Sequence, residues 1–372
     1  MNARLSDKIR VVSLLTMVLL TFVHAFTFPS NVFQGDPWSL DGINFTIQYF
    51  ISNGLARFRV PMFFIISGYF FVRAIHRPHD GFANQFTKRL RTIAVPYLAW
   101  SILGLLLYAI MQWPQATRGL FPNNPVWGLR AVDVLRKILL DPIPYQLWFL
   151  RDLMVLFALS PLFLILIRWF GAWVLLPAAV CWWWDIDPVI VRTGSITFYL
   201  AGIWLFLRGP DSPPVITNPG RRAIVATWLV VLVAKTAVVV TNTGDADAIR
   251  ILHKGSTFLG LAAVWVWYDL IVGDRDIRKS WLYPLTAHSF FLYVAHEPLL
   301  SVVKQSLFLL LGHHPAMAFV VYVIAPCLVM VICFGTARVL ARHVPGLYGF
   351  FTGGRGVPKV DPQAKEVALA SS

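Results

Sequence analysis

The stretch Val11–Phe28, VVSLLTMVLLTFVHAFTF, decides the fold class of this chain. At about 1.5 Å per residue it is long enough to cross most of a hydrocarbon layer about 30 Å thick. Its one ionisable side chain is His24. Such a group at membrane depth costs at least about 2.5 kcal/mol, so it faces a protein interior or a water-filled cavity and marks a candidate functional site.

The rest of the chain repeats the pattern. Of 372 residues, 57% are hydrophobic and only 13% charged, too little charge to cover a soluble surface of this size. Apolar segments recur at roughly 11–28, 59–75, 94–112, 146–167, 171–185, 194–208, 222–241, 254–272, 283–311 and 316–341. The expected fold is therefore all-α: a polytopic integral membrane helical bundle of about ten transmembrane helices, residues 1–352, with a short disordered tail, 353–372. Trp182-Trp183-Trp184 reads as an interfacial belt. Arg4, Lys8 and Arg10 before the first run resemble a signal peptide, but no small-residue cleavage site follows, so the run reads as a retained first helix. With that end inside, well over half of the 32 basic residues fall in cytoplasmic segments, among them Arg73, Lys88, Arg89, Arg91, Arg221, Arg222 and Arg278. That asymmetry predicts both termini in the cytoplasm and a multi-pass inner-membrane location.

The basic excess (32 Lys and Arg against 18 Asp and Glu) is explained by these loops, so no nucleic-acid partner is expected. Cys181, Cys327 and Cys333 lie in apolar segments without ligand spacing, and no metal is expected. Two outer loops are long, 29–58 and 113–145. In the second, Trp127, Ala131, Val134, Leu135 and Ile138 share one helical face opposite Arg130, Asp133 and Lys137, which predicts an amphipathic helix on the outer surface.

Depth brings the chemistry together. His24 lies roughly 21 Å above Arg10 by helical rise. His296 and Glu297 reach a comparable level in the ninth segment, and Arg151 and Asp152 lie roughly 8 Å below the outer boundary of the fourth. Each has a plain structural alternative: a hydrogen-bonded packing histidine, a structural ion pair, interhelical glue. Coincidence at one depth favours a site, where a histidine beside a carboxylate can act as general base. Thr286, Ser289, Tyr293 and His296 form a polar stripe that must face protein or water. Lys88-Arg89-Leu90-Arg91 reads either as an anion clamp for a phosphate-bearing cosubstrate or as ordinary basic flanking. Ser67, in Ile66-Ser67-Gly68-Tyr69, lacks the context of a nucleophile elbow, and the Ser-Gly pair permits close helix packing.

Five passages, taken in order, resemble the acyltransferase-3 family of membrane O-acyltransferases. They are Phe22-Val-His24-Ala; Val60-Pro-Met-Phe-Phe-Ile-Ile-Ser67-Gly-Tyr69; Lys88-Arg-Leu-Arg91 leading to Val95-Pro96-Tyr97; Leu147-Trp148-Phe149-Leu150-Arg151-Asp152; and Ser289-Phe-Phe-Leu-Tyr293-Val-Ala-His296-Glu297-Pro298. The resemblance implies transfer of an acyl group, often acetyl from acetyl-coenzyme A, to a hydroxyl of a cell-surface or lipid-linked glycan, with acyl-coenzyme A as cosubstrate and no bound cofactor. It puts His24 at the catalytic centre, as general base or acyl relay, with His296 and Glu297 beside it. Arg151, Asp152, Ser67 and Tyr293 become candidates for substrate contact, and Arg10, Lys88, Arg89 and Arg91 for the coenzyme. The family's Arg-x-x-Arg maps onto Lys88 and Arg91, and Ser13 stands where the family has an arginine, with Arg10 one turn nearer the cytoplasm. A transporter moving a glycan or acyl intermediate without covalent chemistry is the alternative, since intramembrane His, Arg and Asp also suit proton relays. No inverted repeat of broken helices supports it.

Overall fold

The computed structural model describes residues 3–76, 81–118, 124–188, 190–209 and 216–356. They form fifteen α-helices: α1 Ala3–Ala25, α2 Leu40–Tyr49, α3 Arg59–Ile75, α4 Phe82–Arg89, α5 Val95–Met111, α6 Gln115–Arg118, α7 Ala131–Leu139, α8 Trp148–Phe170, α9 Leu175–Trp183, α10 Thr193–Leu207, α11 Asn218–Val240, α12 Ala246–Val272, α13 Ser289–Leu311, α14 Pro315–His343 and α15 Pro345–Thr352. No strand occurs among the described residues. Among the described residues, eight helical runs are long and apolar enough to cross a membrane, and Thr193–Leu207 is apolar but shorter. The chain is a multi-pass helical membrane protein.

Two of the eight runs join segments that the sequence separates. Tyr145–Trp183 holds both α8 and α9. Between them Gly171, at φ 59°, takes a left-handed conformation that a side chain would resist, and the chain turns there onto α10. Leu40–Ile75 extends the second segment backward into the expected loop 29–58. A π-helical turn, Phe50–Gly54, and a 3-10 turn, Leu55–Phe58, carry α2 into α3 without a break. The polar residues that suggest a loop fall four apart on one face. Asn44 donates to the Pro315 carbonyl, Gln48 joins Asn44 and Thr27, and Ser52 reaches the Phe22 carbonyl. All three are buried, so their polarity is glue between helices rather than contact with water.

The main core gathers α1, α3, α5, α8, α10, α13 and α14. Its tightest seam is α3 on α10. A Cβ on Gly68 would lie 2.3 Å from the Tyr199 carbonyl oxygen, and one on Gly202 2.2 Å from that of Ile65, so the two backbones touch where the Ser-Gly pair suggests close packing. The amphipathic helix is present as α7, but it does not lie across the outer surface. It runs back along α5: Trp127 donates to the Ala109 carbonyl, Ser101 to that of Ile138 and Tyr97 to that of Leu139. With Arg151 on the Leu140 carbonyl, three successive acceptors at the end of α7 are satisfied by side chains of α5 and α8.

The segment after α14 folds back under the bundle. Tyr348 is buried against Phe291 and bonded to His288, and Trp100 donates to the Phe351 carbonyl. Gly353 lies so close to Thr92 that a Cβ there would meet its carbonyl oxygen at 2.3 Å. Residues 353–356 therefore belong to the packed body, while the expected disordered tail from 357 onward lies outside the described residues.

Candidate active site

His24 occupies the last turn of α1, where the helix has run out of its own hydrogen-bond donors. Side chains from other helices replace them. Ser52 donates to the Phe22 carbonyl at 3.0 Å, and the Lys304 ammonium donates to those of His24 and Phe26 at 3.1 and 3.0 Å. A cation at a helix C-terminus also complements the helix dipole. The backbone that carries His24 is thus fixed by α13 and by the turn before α3.

The imidazole lies between two rings. It stacks on Tyr145 with centroids 4.7 Å apart and planes 10° apart, and it meets His296 edge to face at 5.0 Å. Neither His24 ring nitrogen makes a hydrogen bond to a described residue, and its Nδ1 is buried. His296 is fully buried; its Nδ1 donates to the Leu292 carbonyl at 3.0 Å, which leaves Nε2 as a buried acceptor with no partner. Two imidazoles therefore stand in contact, each with a lone pair available for a substrate proton.

A break in α13 creates this arrangement. Pro298 has no N–H to donate, and Glu297 adopts φ −110° and ψ 136°, outside the helical region. Gln146 reaches into the break, donating to the carbonyls of Val294 and Glu297 at 3.3 and 3.1 Å, while Tyr293 donates to the Gln146 carbonyl at 2.7 Å. These bonds strap Tyr145–Leu147 to α13 and set Tyr145 against His24.

The expected layer of five ionisable groups resolves into a pair and two structural devices. Glu297 turns its carboxylate to Ser301, accepting from the backbone N–H at 3.2 Å and the hydroxyl at 2.8 Å, which caps the second half of α13. Asp152, fully buried, accepts from Arg151 at 3.0 Å, from the Arg192 backbone at 3.2 Å and from Ser195 at 2.8 Å, and so ties α8 to the start of α10. Arg151 gives its other terminal nitrogen to the Leu140 carbonyl, and its buried Nε has no partner among the described residues. Ser67 sits about one turn along α3 beyond Phe63 and does not line the His24 cavity, whereas Tyr293 does.

That cavity is narrow, about 40 Å³, and extends along α1 from His24 to Thr16, a helical rise of roughly 12 Å. It is walled by Arg59, Val60 and Phe63 of α3 and by Trp148 and Phe149 of α8. Arg59, Val60 and Trp148 also line a second, wider cleft of about 250 Å³ whose lining includes Arg57, Asp185, Arg192, His253 and Lys254. The sequence reading passed over these groups. Lys235 and Lys254 could have been found by the rule that singled out His24, since both are buried ionisable groups within apolar helices. Arg57 could not, because it falls in the apparent loop 29–58, and Arg59, the first residue of the segment 59–75, reads as an ordinary basic flank.

At the other end of the bundle, Arg89 lies over the Phe157 ring at 4.9 Å, while Lys88, Arg91 and Arg10 are exposed. An unexpected neighbour joins them. Arg355 lies over Phe290 at 4.1 Å and donates to the carbonyls of Thr92 and Thr352 at 2.6 and 3.0 Å. Burial, and then the charge of Arg89, pushes its guanidinium down to about 10, so it remains a cation at neutral pH. Among the described residues no cluster of His, Cys, Asp and Glu could hold a metal.

The sequence profile of the acyltransferase domain of the acyltransferase-3 family matches residues 7–338. Among curated proteins, the succinoglycan biosynthesis protein ExoH of Rhizobium meliloti (strain 1021) is 26% identical over 382 aligned residues, covering 100% of this chain and 98% of that protein. No solved structure matches.

Proposed function

The chain belongs to the acyltransferase-3 family, and on that premise we propose that it transfers an acyl group from acyl-coenzyme A to a hydroxyl of a cell-surface polysaccharide or its lipid-linked precursor. The observation that carries this reading is the His24–His296 contact, with unpartnered buried nitrogens on both rings, at the head of a narrow cavity that opens beside a wider polar cleft. The relative's role in making a polysaccharide supports the choice of acceptor.

The division of space suits two substrates. The coenzyme's phosphates bind near Arg89 and Arg355 at the cytoplasmic end, and the acyl arm runs along α1 from Thr16 toward His24. The acceptor enters the wider cleft from outside. His24 takes the hydroxyl proton as the acceptor oxygen attacks the thioester carbonyl; the new C–O bond forms, the C–S bond breaks, and the departing thiolate receives the proton. Tyr145 holds the imidazole plane, and His296, locked in one tautomer by Leu292, offers Nε2 to the same proton network. The charge at Arg89 and Arg355 positions the donor without entering the chemistry.

The test is transfer by the purified protein in lipid nanodiscs, from labelled acyl-coenzyme A to polysaccharide, with the ester identified by mass spectrometry. Wild type should form the ester, and His24→Ala should form it at least about a hundredfold more slowly. Full activity in His24→Ala would remove the mechanism, and substrate flux without ester formation would favour a transporter.

A further inference from the structure

The wider cleft holds more positive charge than its own carboxylates can balance. Arg57, Arg59, Arg192 and Lys254 line it, against Asp185 and Asp187. Both carboxylates are already engaged. Asp185 pairs with Lys254 at 2.5 Å, and Asp187 accepts from the Thr193 backbone and hydroxyl. Arg57, Arg59 and Arg192 have no carboxylate within salt-bridge distance among the described residues. Arg57 donates to the Asn53 side chain at 2.7 Å and Arg59 to the Ala56 carbonyl at 2.9 Å. Arg192 lies over the Trp148 ring at 4.1 Å. Each of the first two keeps a buried Nε with no hydrogen-bond partner. The fully buried Lys235 donates to the carbonyl of the same Asn53.

Arg57 and Arg59 are half-buried with only dipoles for company, which is costly, and proteins retain such groups where a ligand completes them. A neutral sugar would hydrogen-bond the guanidinium groups and leave their charge uncompensated. A carboxylate would do both, because two acceptor oxygens match the planar fork of an arginine. The cleft also shares Arg59, Val60 and Trp148 with the His24 cavity, so an anion held there belongs to a molecule whose reacting atom can reach His24.

We infer that the cleft is a carboxylate-binding subsite of the transfer reaction, built on Arg57 and Arg59. The inference rests on the acyl-transfer reading for what the bound molecule does, but not for its binding. Two sources supply the same chemistry: an acidic substituent on the polysaccharide, or the free end of a dicarboxylic acyl group.

Calorimetric binding to the full-length protein in zwitterionic nanodiscs separates these sources. One pair of probes is succinyl-coenzyme A and acetyl-coenzyme A; the other is an oligogalacturonate and its carboxyl-reduced, neutral counterpart. In wild type the charged member of at least one pair should bind about tenfold tighter, equivalent to about 1.4 kcal/mol. That preference should collapse in Arg57→Gln and Arg59→Gln, and the pair that shows it identifies the source. Arg192→Gln, on the Trp148 side of the cleft, gives the same readout should the first two variants fail to fold. No such preference in wild type, or a preference unmoved by the substitutions, overturns the subsite. Binding preference without ester formation retains the subsite and rejects the acyl-transfer reading.

Discussion

The Lys304 ammonium donates to the backbone carbonyl of His24 at 3.1 Å, so the last turn of α1 is held by a cation carried on α13. The same ammonium bonds the Phe26 carbonyl, so both of these hydrogen bonds go to backbone around His24. Lys304 is therefore a positioning residue. Lys304→Met keeps the length of the side chain but leaves both carbonyls without their donor. Hydrogen bonds from charged groups contribute about 1.5–3 kcal/mol, and a stability loss of that order is expected. In folded protein the turnover number should fall while the KM for acyl-coenzyme A stays near wild type. Thermal unfolding and steady-state kinetics on the same sample distinguish this from simple misfolding.

His296 separates a proton network from a lone base. General acid–base groups contribute typically about 10²–10⁴-fold to rate, so His24→Ala should lose about that much. His296→Ala removes the edge-to-face contact at 5.0 Å and its acceptor nitrogen while leaving Tyr145 stacked on His24. If the two imidazoles act as one unit, the double variant is no slower than His24→Ala alone. Additive losses measured by product formation would show that they work independently.

What the sequence made legible followed one rule, and its failures have physical causes. His24 and His296 stood out because ionisable groups are scarce in apolar runs, and the structure joins them. Gly68 was legible because small residues mark close helix contacts. Arg151, Asp152 and Glu297 satisfied the same depth argument, yet their partners are Leu140, Ser195 and Ser301. Depth along a helix says nothing about azimuth, so it could not tell a group facing the cavity from one tying two helices together. Arg57 was hidden by the π-helical and 3-10 turns between α2 and α3, which shift the helical face and disguise a buried segment as a polar loop, and Arg59 by its place at the very edge of the apolar segment that follows. Arg355 was hidden by distance: nothing in the sequence shows that Gly353 and Arg355 fold against Thr92.

Asp152 tests that distinction between fold and chemistry. It is fully buried and accepts three hydrogen bonds, one from a guanidinium and two from the start of α10. Removing one partner of a buried charge pair costs about 3–5 kcal/mol, because the other is left uncompensated. Asp152→Ala should therefore lower the thermal midpoint and the yield of folded protein, while the folded fraction keeps a near-normal KM for both substrates. A variant with wild-type stability and no transfer would instead move Asp152 into the reaction.

Arg355 tests the donor end. Its guanidinium is fixed by two backbone carbonyls and by the face of Phe290, and it shares the neighbourhood of Arg89. Two cations held close together repel, and an anion between them relieves the repulsion; coenzyme A brings several phosphate charges. Arg355→Gln retains a polar side chain but loses the charge and the fork, so the KM for acyl-coenzyme A should rise by about tenfold, the equivalent of one hydrogen bond to a charged group. The acceptor KM should not move, since the residue lies at the opposite end of the bundle from His24. Raising the salt concentration should weaken donor binding in wild type and do so less in Arg355→Gln, because one of the screened charges is gone. Equal changes in both KM values would show that α15 acts through the fold and that the coenzyme sits elsewhere.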